Sequence, residues 1–380
     1  MADLDVAEDT AAQLDRARAG DTRVLGRLLS LVENGSPRVR SVIKDLLPWT
    51  GGARIIGLTG APGVGKSTMT GAVVGAFRAA ERRVAVLAID PTSPFTGGAL
   101  LGDRIRMQDY ATDDHVFIRS MANRGHLGGI AAATPQAIRV LDAAGFDPIL
   151  IETVGVGQDE VEIAALADSV VVLLAPGMGD AIQTAKAGIL EIADLFAVNK
   201  ADKPDAQQVV RDVRNMIALA GREQDGAKRW KPPIVATVAV NGPRDTGIGE
   251  LVTKLDAHWT WLTSTGELDA RRRARARDEI TVLAVDALHG RLHMSGIDAL
   301  AGEVADGTLD PFTAAEMLLE DISLPRGKRL ELPFDPIDRA ARIWENRFGP
   351  APSMAAVTSI MRAQQILLAE LDARDRKSVV

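Results

Sequence analysis

Gly60, Ala61, Pro62, Gly63, Val64, Gly65, Lys66 and Ser67 stand in the order G-x-x-x-x-G-K-S, with Thr68 next. That spacing suits a polyphosphate. Glycines let the chain curl until successive backbone N–H groups face one anion, and a helix starting near Gly65 turns its positive dipole end on the same point. Lys66 would then reach the outer phosphates, and the Ser67 hydroxyl would ligate Mg2+. A hard cation beside phosphates takes carboxylate oxygens directly or through water, which makes Asp90, Asp103 and Glu152 candidates for its shell. Glu152 ends the apolar run PILIE, and Gly155 follows three positions later. An acid so placed can hold the metal while the glycine N–H senses the terminal phosphate. Gln158 is a candidate for orienting the attacking water, so Lys66, Glu152 and Gln158 form the expected catalytic group. Thr92, Ser93 and Thr96, between Asp90 and Asp103, read as turn residues or as ligands.

Base choice is read from Asn199, Lys200, Ala201 and Asp202. A carboxylate at Asp202 accepts two hydrogen bonds from guanine, at N1–H and the exocyclic amine, and adenine offers no such pair. Val238 and Ala239, at the end of a later apolar run, should add backbone contacts to the base. The expected ligands are GTP or GDP with Mg2+.

These residues need strands to carry them. Apolar runs at 54–59, 83–89, 115–120, 148–152, 169–175, 195–198 and 234–240 are continuous, which signals strands buried on both faces. Helical stretches lie between most of them. That alternation implies right-handed crossovers and an α/β fold: a doubly wound, mostly parallel sheet with flanking N- and C-terminal helical segments. Ligands in such sheets sit at the carboxyl ends of the strands, where the phosphate loop, Glu152 and Asp202 fall. Residues 8 to about 48 read as two or three helices packed outside the sheet, broken at Gly20-Asp21 and again at Gly35-Ser36-Pro37. The expected domains are a helical segment (1–50), the nucleotide domain (51–264), a helical arm (265–322), and a linker with a helical tail (323–380). The run Arg271, Arg272, Arg273, Arg275 and Arg277 reads as either a solvated helix face or a partner surface.

Composition sets the limits. The chain has 380 residues, 46% of them hydrophobic, a net charge of -7 and no cysteine. That balance argues against nucleic acid as the main partner, and the missing thiols exclude disulfides, thiolate metal sites and a cysteine nucleophile. The N-terminus is acidic without an apolar signal core, and no window approaches the ~18 apolar residues of a membrane span. A cytoplasmic protein is expected.

As a set, GAPGVGKST (60–68), AIDPTSPFTGGALLGDRIRM (88–107), FIRSMANRGHLGG (117–129), ILIETVGVGQDE (149–160) and AVNKADKPDA (197–206) resemble the MeaB, ArgK and methylmalonic aciduria type A group of GTPases. The resemblance covers about residues 10 to 320. It implies a GTP-hydrolysing chaperone that binds methylmalonyl-CoA mutase, gates adenosylcobalamin delivery and protects the mutase from inactivation. It further implies a homodimer joined through residues 265–320, with Asp202 reading guanine and acids matching Asp90, Asp103 and Glu152 around magnesium. Two departures stand out. Val238 and Ala239 replace the group's frequent Ser-Ala, and the chain runs on through LPRGKRLELPFDP (324–336) into a tail similar to the opening helices of MarR-type regulators. That tail stops before a winged helix, so no DNA binding is expected. Two other classes are weighed: a protein kinase linked to amino-acid transport, for which no distinct base stands out, and a nickel-inserting GTPase. Five scattered histidines and no cysteine speak against the latter.

Overall fold

The computed structural model describes residues 10–91, 110, 112–123, 133–153, 159–177, 191–220, 230–240, 245–294 and 297–321. Among the described residues, seven parallel strands form one sheet: β1 Ile55–Thr59, β2 Val84–Pro91, β3 Val116–Asn123, β4 Ile149–Thr153, β5 Ser169–Leu174, β6 Leu195–Val198 and β7 Ile234–Ala236. Their spatial order is β3-β2-β4-β1-β5-β6-β7, so the strand before the phosphate loop lies between β4 and β5. Register puts Leu58 beside Glu152 and Thr59 beside Val172.

Side chains explain why the apolar runs are unbroken. Along β1, Ile55 joins a core on one face of the sheet, while Ile56 and Leu58 join a second core on the other. The first core is completed by helices α1 Thr10–Arg18, α2 Thr22–Glu33 and α3 Val39–Leu46, whose Leu14, Leu25, Leu28 and Val42 share it with Leu141 of α5 Thr134–Ala143. Asp21 starts α2 by accepting the N–H groups of Arg23 and Val24 at 3.1 and 3.2 Å. α6 Asp159–Leu166 adds Ile163 to this face, and α7 Ala206–Ala220 adds Val209 and Val213. The second core is closed by Met69, Val73 and Phe77 of α4 Lys66–Ala79, and by Leu251 and Leu255 of α8 Ile248–Thr265.

The sequence extends the seventh strand to 240, but β7 stops at Ala236. Thr237 N–H still reaches Val198 O at 2.8 Å, and then Val238 exchanges both backbone hydrogen bonds with Thr246 in an antiparallel bridge. A residue that pairs with the returning chain cannot also extend the parallel ladder.

Helix α9 follows at Glu267–Met294. Residues 1–287 form one compact unit and 288–380 a second. In the second, α10 Ile297–Ala305 packs with α11 Pro311–Asp321, and Asp310 caps α11 by accepting from Phe312 and Thr313 N–H at 3.0 and 3.1 Å. The tail expected at 323–380 lies outside the described residues.

Candidate nucleotide site

The loop between β1 and α4 is shaped by positions that reject a side chain. A Cβ on Gly60, at φ +146°, would overlap the Leu173 carbonyl oxygen, and one on Gly65, at φ +95°, would sit 2.7 Å from Asn199 Nδ2. Lys66 begins α4 and folds back over the loop, donating to Gly60 O at 2.6 Å and Ala61 O at 3.2 Å. Gly60 to Gly65 precede the helix directly, with Ala61 half-buried and Pro62 and Gly63 exposed. The cradle therefore opens to solvent at a helix N-terminus, as anion binding requires. Thr68 follows on the first turn of α4, half-buried.

Glu152 enters this turn from β4. It is 2% exposed, and its Oε1 accepts from Ser67 Oγ at 2.7 Å while its Oε2 accepts from Thr70 Oγ1 at 2.8 Å. Sequence reasoning paired Ser67 with Glu152 but passed over Thr70. Ser67 and Glu152 supply hard oxygen atoms only. Mg2+ beside a nucleotide takes one or two protein oxygens and completes its shell from phosphate and water, so this pair fits the ion. Asp90 belongs to β2, where Ile89 pairs with Thr153, and its side chain is not described. Asp103, Gly155 and Gln158 lie outside the described residues, so the expected catalytic group is represented by Lys66 and Glu152.

The segment from Asn199 to Asp202 is stitched to the phosphate loop. Asn199, 1% exposed, donates from Nδ2 to Val64 O at 2.9 Å and accepts at Oδ1 from Ala239 N–H at 3.1 Å. Lys200 adopts a left-handed φ of +57° and donates from Nζ to Gly63 O at 2.7 Å. Ala201 N–H reaches Thr237 O at 3.0 Å. Hydrogen bonds thus tie three loops together. Asp202 projects from them, exposed, with no hydrogen bond or ion pair among the described residues. Val238 has spent its backbone groups on Thr246 and Ala239 N–H bonds Asn199, so a base would share the latter donor.

The arginine run lies at the other end of the strands and does neither thing expected of it as a whole. Arg273 and Arg277 face solvent. Arg271 instead forms a bidentate pair with Asp194, at 2.9 Å for each bond, while Arg272 at 2.9 Å and Arg275 at 2.6 Å converge on the fully buried Asp168. Asp168 directly precedes β5 and Asp194 directly precedes β6. An acid immediately before an apolar strand was the available signal.

Comparison with known proteins agrees with this geometry. The family described as methylmalonyl-CoA mutase-associated GTPase MeaB matches residues 25–296. A protein of Pyrococcus abyssi that carries the name GTPase is 46% identical over 315 residues, covering 81% of this chain and 95% of its own. GTPase ArgK of Escherichia coli is 35% identical over 274 residues, covering 70% of this chain and 81% of its own. A crystal structure of an LAO/AO transport system kinase superposes with a TM-score of 0.60 at 26% identity, covering 83% of this chain and 98% of that one. A phosphate loop at the carboxyl end of the central strand, a buried strand-end glutamate on its serine and an open aspartate beside it are features of a GTP-hydrolysing enzyme, and the chain belongs to the MeaB family of GTPases.

Proposed function

We propose that this GTPase acts on methylmalonyl-CoA mutase, with its nucleotide state gating adenosylcobalamin loading and protecting the mutase from inactivation. The family's description supplies the partner. The contact of Ser67 Oγ with Glu152 Oε1 at 2.7 Å is the observation that carries the switch. Glu152 is the last residue but one of β4, so the chain leaving that strand starts two residues beyond the carboxylate beside the metal. A change in the metal or the third phosphate would be passed straight into that chain.

In this reading the loop from Gly60 to Thr68 holds the phosphates and Lys66 neutralises charge on the outer pair. Ser67, Glu152, Asp90 and Asp103 surround Mg2+, Gly155 senses the third phosphate and Gln158 orients water. Asn199, Lys200, Asp202, Val238 and Ala239 form the guanine end. Bound Mg2+ would supply charge neutralisation at the transferring phosphate. We further propose a homodimer through α9, where Ile280, Val282, Leu283 and Val285 are exposed. A cytoplasmic setting suits a chain without cysteine, and among the described residues no helix is long and apolar enough to cross a membrane.

The name of the solved relative raises a kinase reading. A protein kinase needs a base for its acceptor's proton, and exposed His115 lies at the start of β3, away from the phosphate loop. GTP labelled on its γ-phosphate, incubated with the chain with and without the mutase, tests both. Release of free phosphate, faster with the mutase, is expected. Label retained on protein would favour the kinase, and release indifferent to the mutase would remove it as the partner.

A further inference from the structure

We propose that Thr70 is a positioning residue for the carboxylate beside the metal: its hydroxyl holds Glu152 Oε2 so that Oε1 stays aimed at Ser67. The proposal rests on the reading above that Glu152 and Ser67 stand beside Mg2+. Ser67 and Thr70 are three residues apart on α4 and so share one helix face. Both hydroxyls meet the same carboxylate, at 2.7 and 2.8 Å, one on each oxygen.

Thr70 has a second acceptor within reach, Lys66 O at 3.1 Å, one helical turn back. A hydroxyl has a single proton. The shorter contact, to Glu152 Oε2, takes it, since 2.8 Å is the usual length of an O–H···O bond and 3.1 Å lies beyond it. The geometry assigns Thr70 to Glu152 for a further reason. The last torsion of a glutamate side chain is broad and two-fold, so a carboxylate held at one oxygen swings about it. A donor on the other oxygen stops that swing. Thr70 is fully buried, which keeps water from replacing its hydroxyl.

The hydroxyl is separable from the volume. Thr70→Val keeps the branched shape without the donor, and Thr70→Ser keeps the donor. In the full chain, release of a fluorescent GDP is followed as Mg2+ is titrated, with Glu152→Gln in parallel and thermal unfolding reporting that each variant folds. Thr70→Val is expected to raise the Mg2+ concentration for half-maximal slowing of release by roughly tenfold, the usual effect of losing a residue that orients a metal ligand. Thr70→Ser should return it to the parent value, and both Thr70 variants should release GDP like the parent in EDTA. If Glu152→Gln shifts the Mg2+ response and Thr70→Val does not, the role of Thr70 is overturned and the metal reading stands. Equal defects of Thr70→Val and Thr70→Ser would make the position a packing site and also overturn it. A parent chain whose GDP release ignores Mg2+ would remove both.

Discussion

Asp202 is an exposed carboxylate with no partner among the described residues, on a segment that Asn199 and Lys200 tie to the phosphate loop. Its charge contributes nothing visible to the fold and is open to a base. Asp202→Ala should leave the melting temperature unchanged and weaken GTP at least about a hundredfold in calorimetry, since two charge-assisted bonds are worth roughly 1.5 to 3 kcal/mol each. Unchanged GTP affinity would take the base reading away from it. His258 is the opposite case. Its Nδ1 lies 2.8 Å from Ser169 Oγ and its Nε2 3.3 Å from Asp194 Oδ1, off the line of a hydrogen bond. The trio resembles a hydrolase triad, but all three residues are buried and Asp194 is held by Arg271. Burial, opposed in part by the Asp194 charge, pulls His258 from 6.5 down to about 4. The folded ring is therefore neutral where the unfolded ring binds a proton. Stability is full above about pH 6.5 and falls as pH drops towards 4, by about 3 kcal/mol over the window. Urea midpoints at pH 7 and 5 should separate in the parent and draw closer in His258→Phe, which keeps the stacking on Trp261.

At the level of elements, α9 is riveted to the sheet by half-buried arginines paired to the buried acids Asp168 and Asp194. Asp168 receives Ile55 N–H at 3.1 Å in addition to Arg272 and Arg275. Removing the buried acid leaves two largely buried arginines without it, which costs up to about 3 to 5 kcal/mol, less for the part of each that water reaches. Asp168→Ala should lose that much in chemical unfolding, and adding Arg272→Met with Arg275→Met should regain most of it. If the triple variant is no better than the single, the arginines act through packing and not through charge. The cluster also marks where reading a sequence stops. The strands were legible because burial on both faces makes a run continuous, and the phosphate loop because its parts are adjacent in sequence. Arg271 and Arg272 find their acids 77 and 104 residues away, and Thr70 finds Glu152 82 residues away. No local pattern carries such a pairing. The end of β7 was misread for the same reason, since Thr246, beyond the strand, takes Val238.

For the molecule as a whole, the nucleotide loops gather at the carboxyl ends of the strands and α9 is fastened at their amino ends, so β5 and β6 span from one to the other. Arg139 of α5 extends the fastening by gripping Glu279 at 2.6 and 2.7 Å. Immediately beyond, the helix changes character: Ile280 is 67% exposed, and Val282, Leu283 and Val285 are each nearly half exposed. Large apolar side chains clustered in water mark a contact surface, and burying each fully would contribute about 1.5 to 3 kcal/mol. Placed next to a segment bolted to the sheet, such a surface would join two copies through their rigid parts. Sedimentation of the parent chain is expected to give a dimer, and Ile280→Glu combined with Leu283→Glu a monomer, because two charges per copy cannot be buried unpaired. GTP affinity should survive in the variant, since no residue of the nucleotide site lies on α9. A parent chain that sediments as a monomer at micromolar concentration would leave this apolar turn to another partner, and then the same double variant should abolish the acceleration of GTP hydrolysis by the mutase.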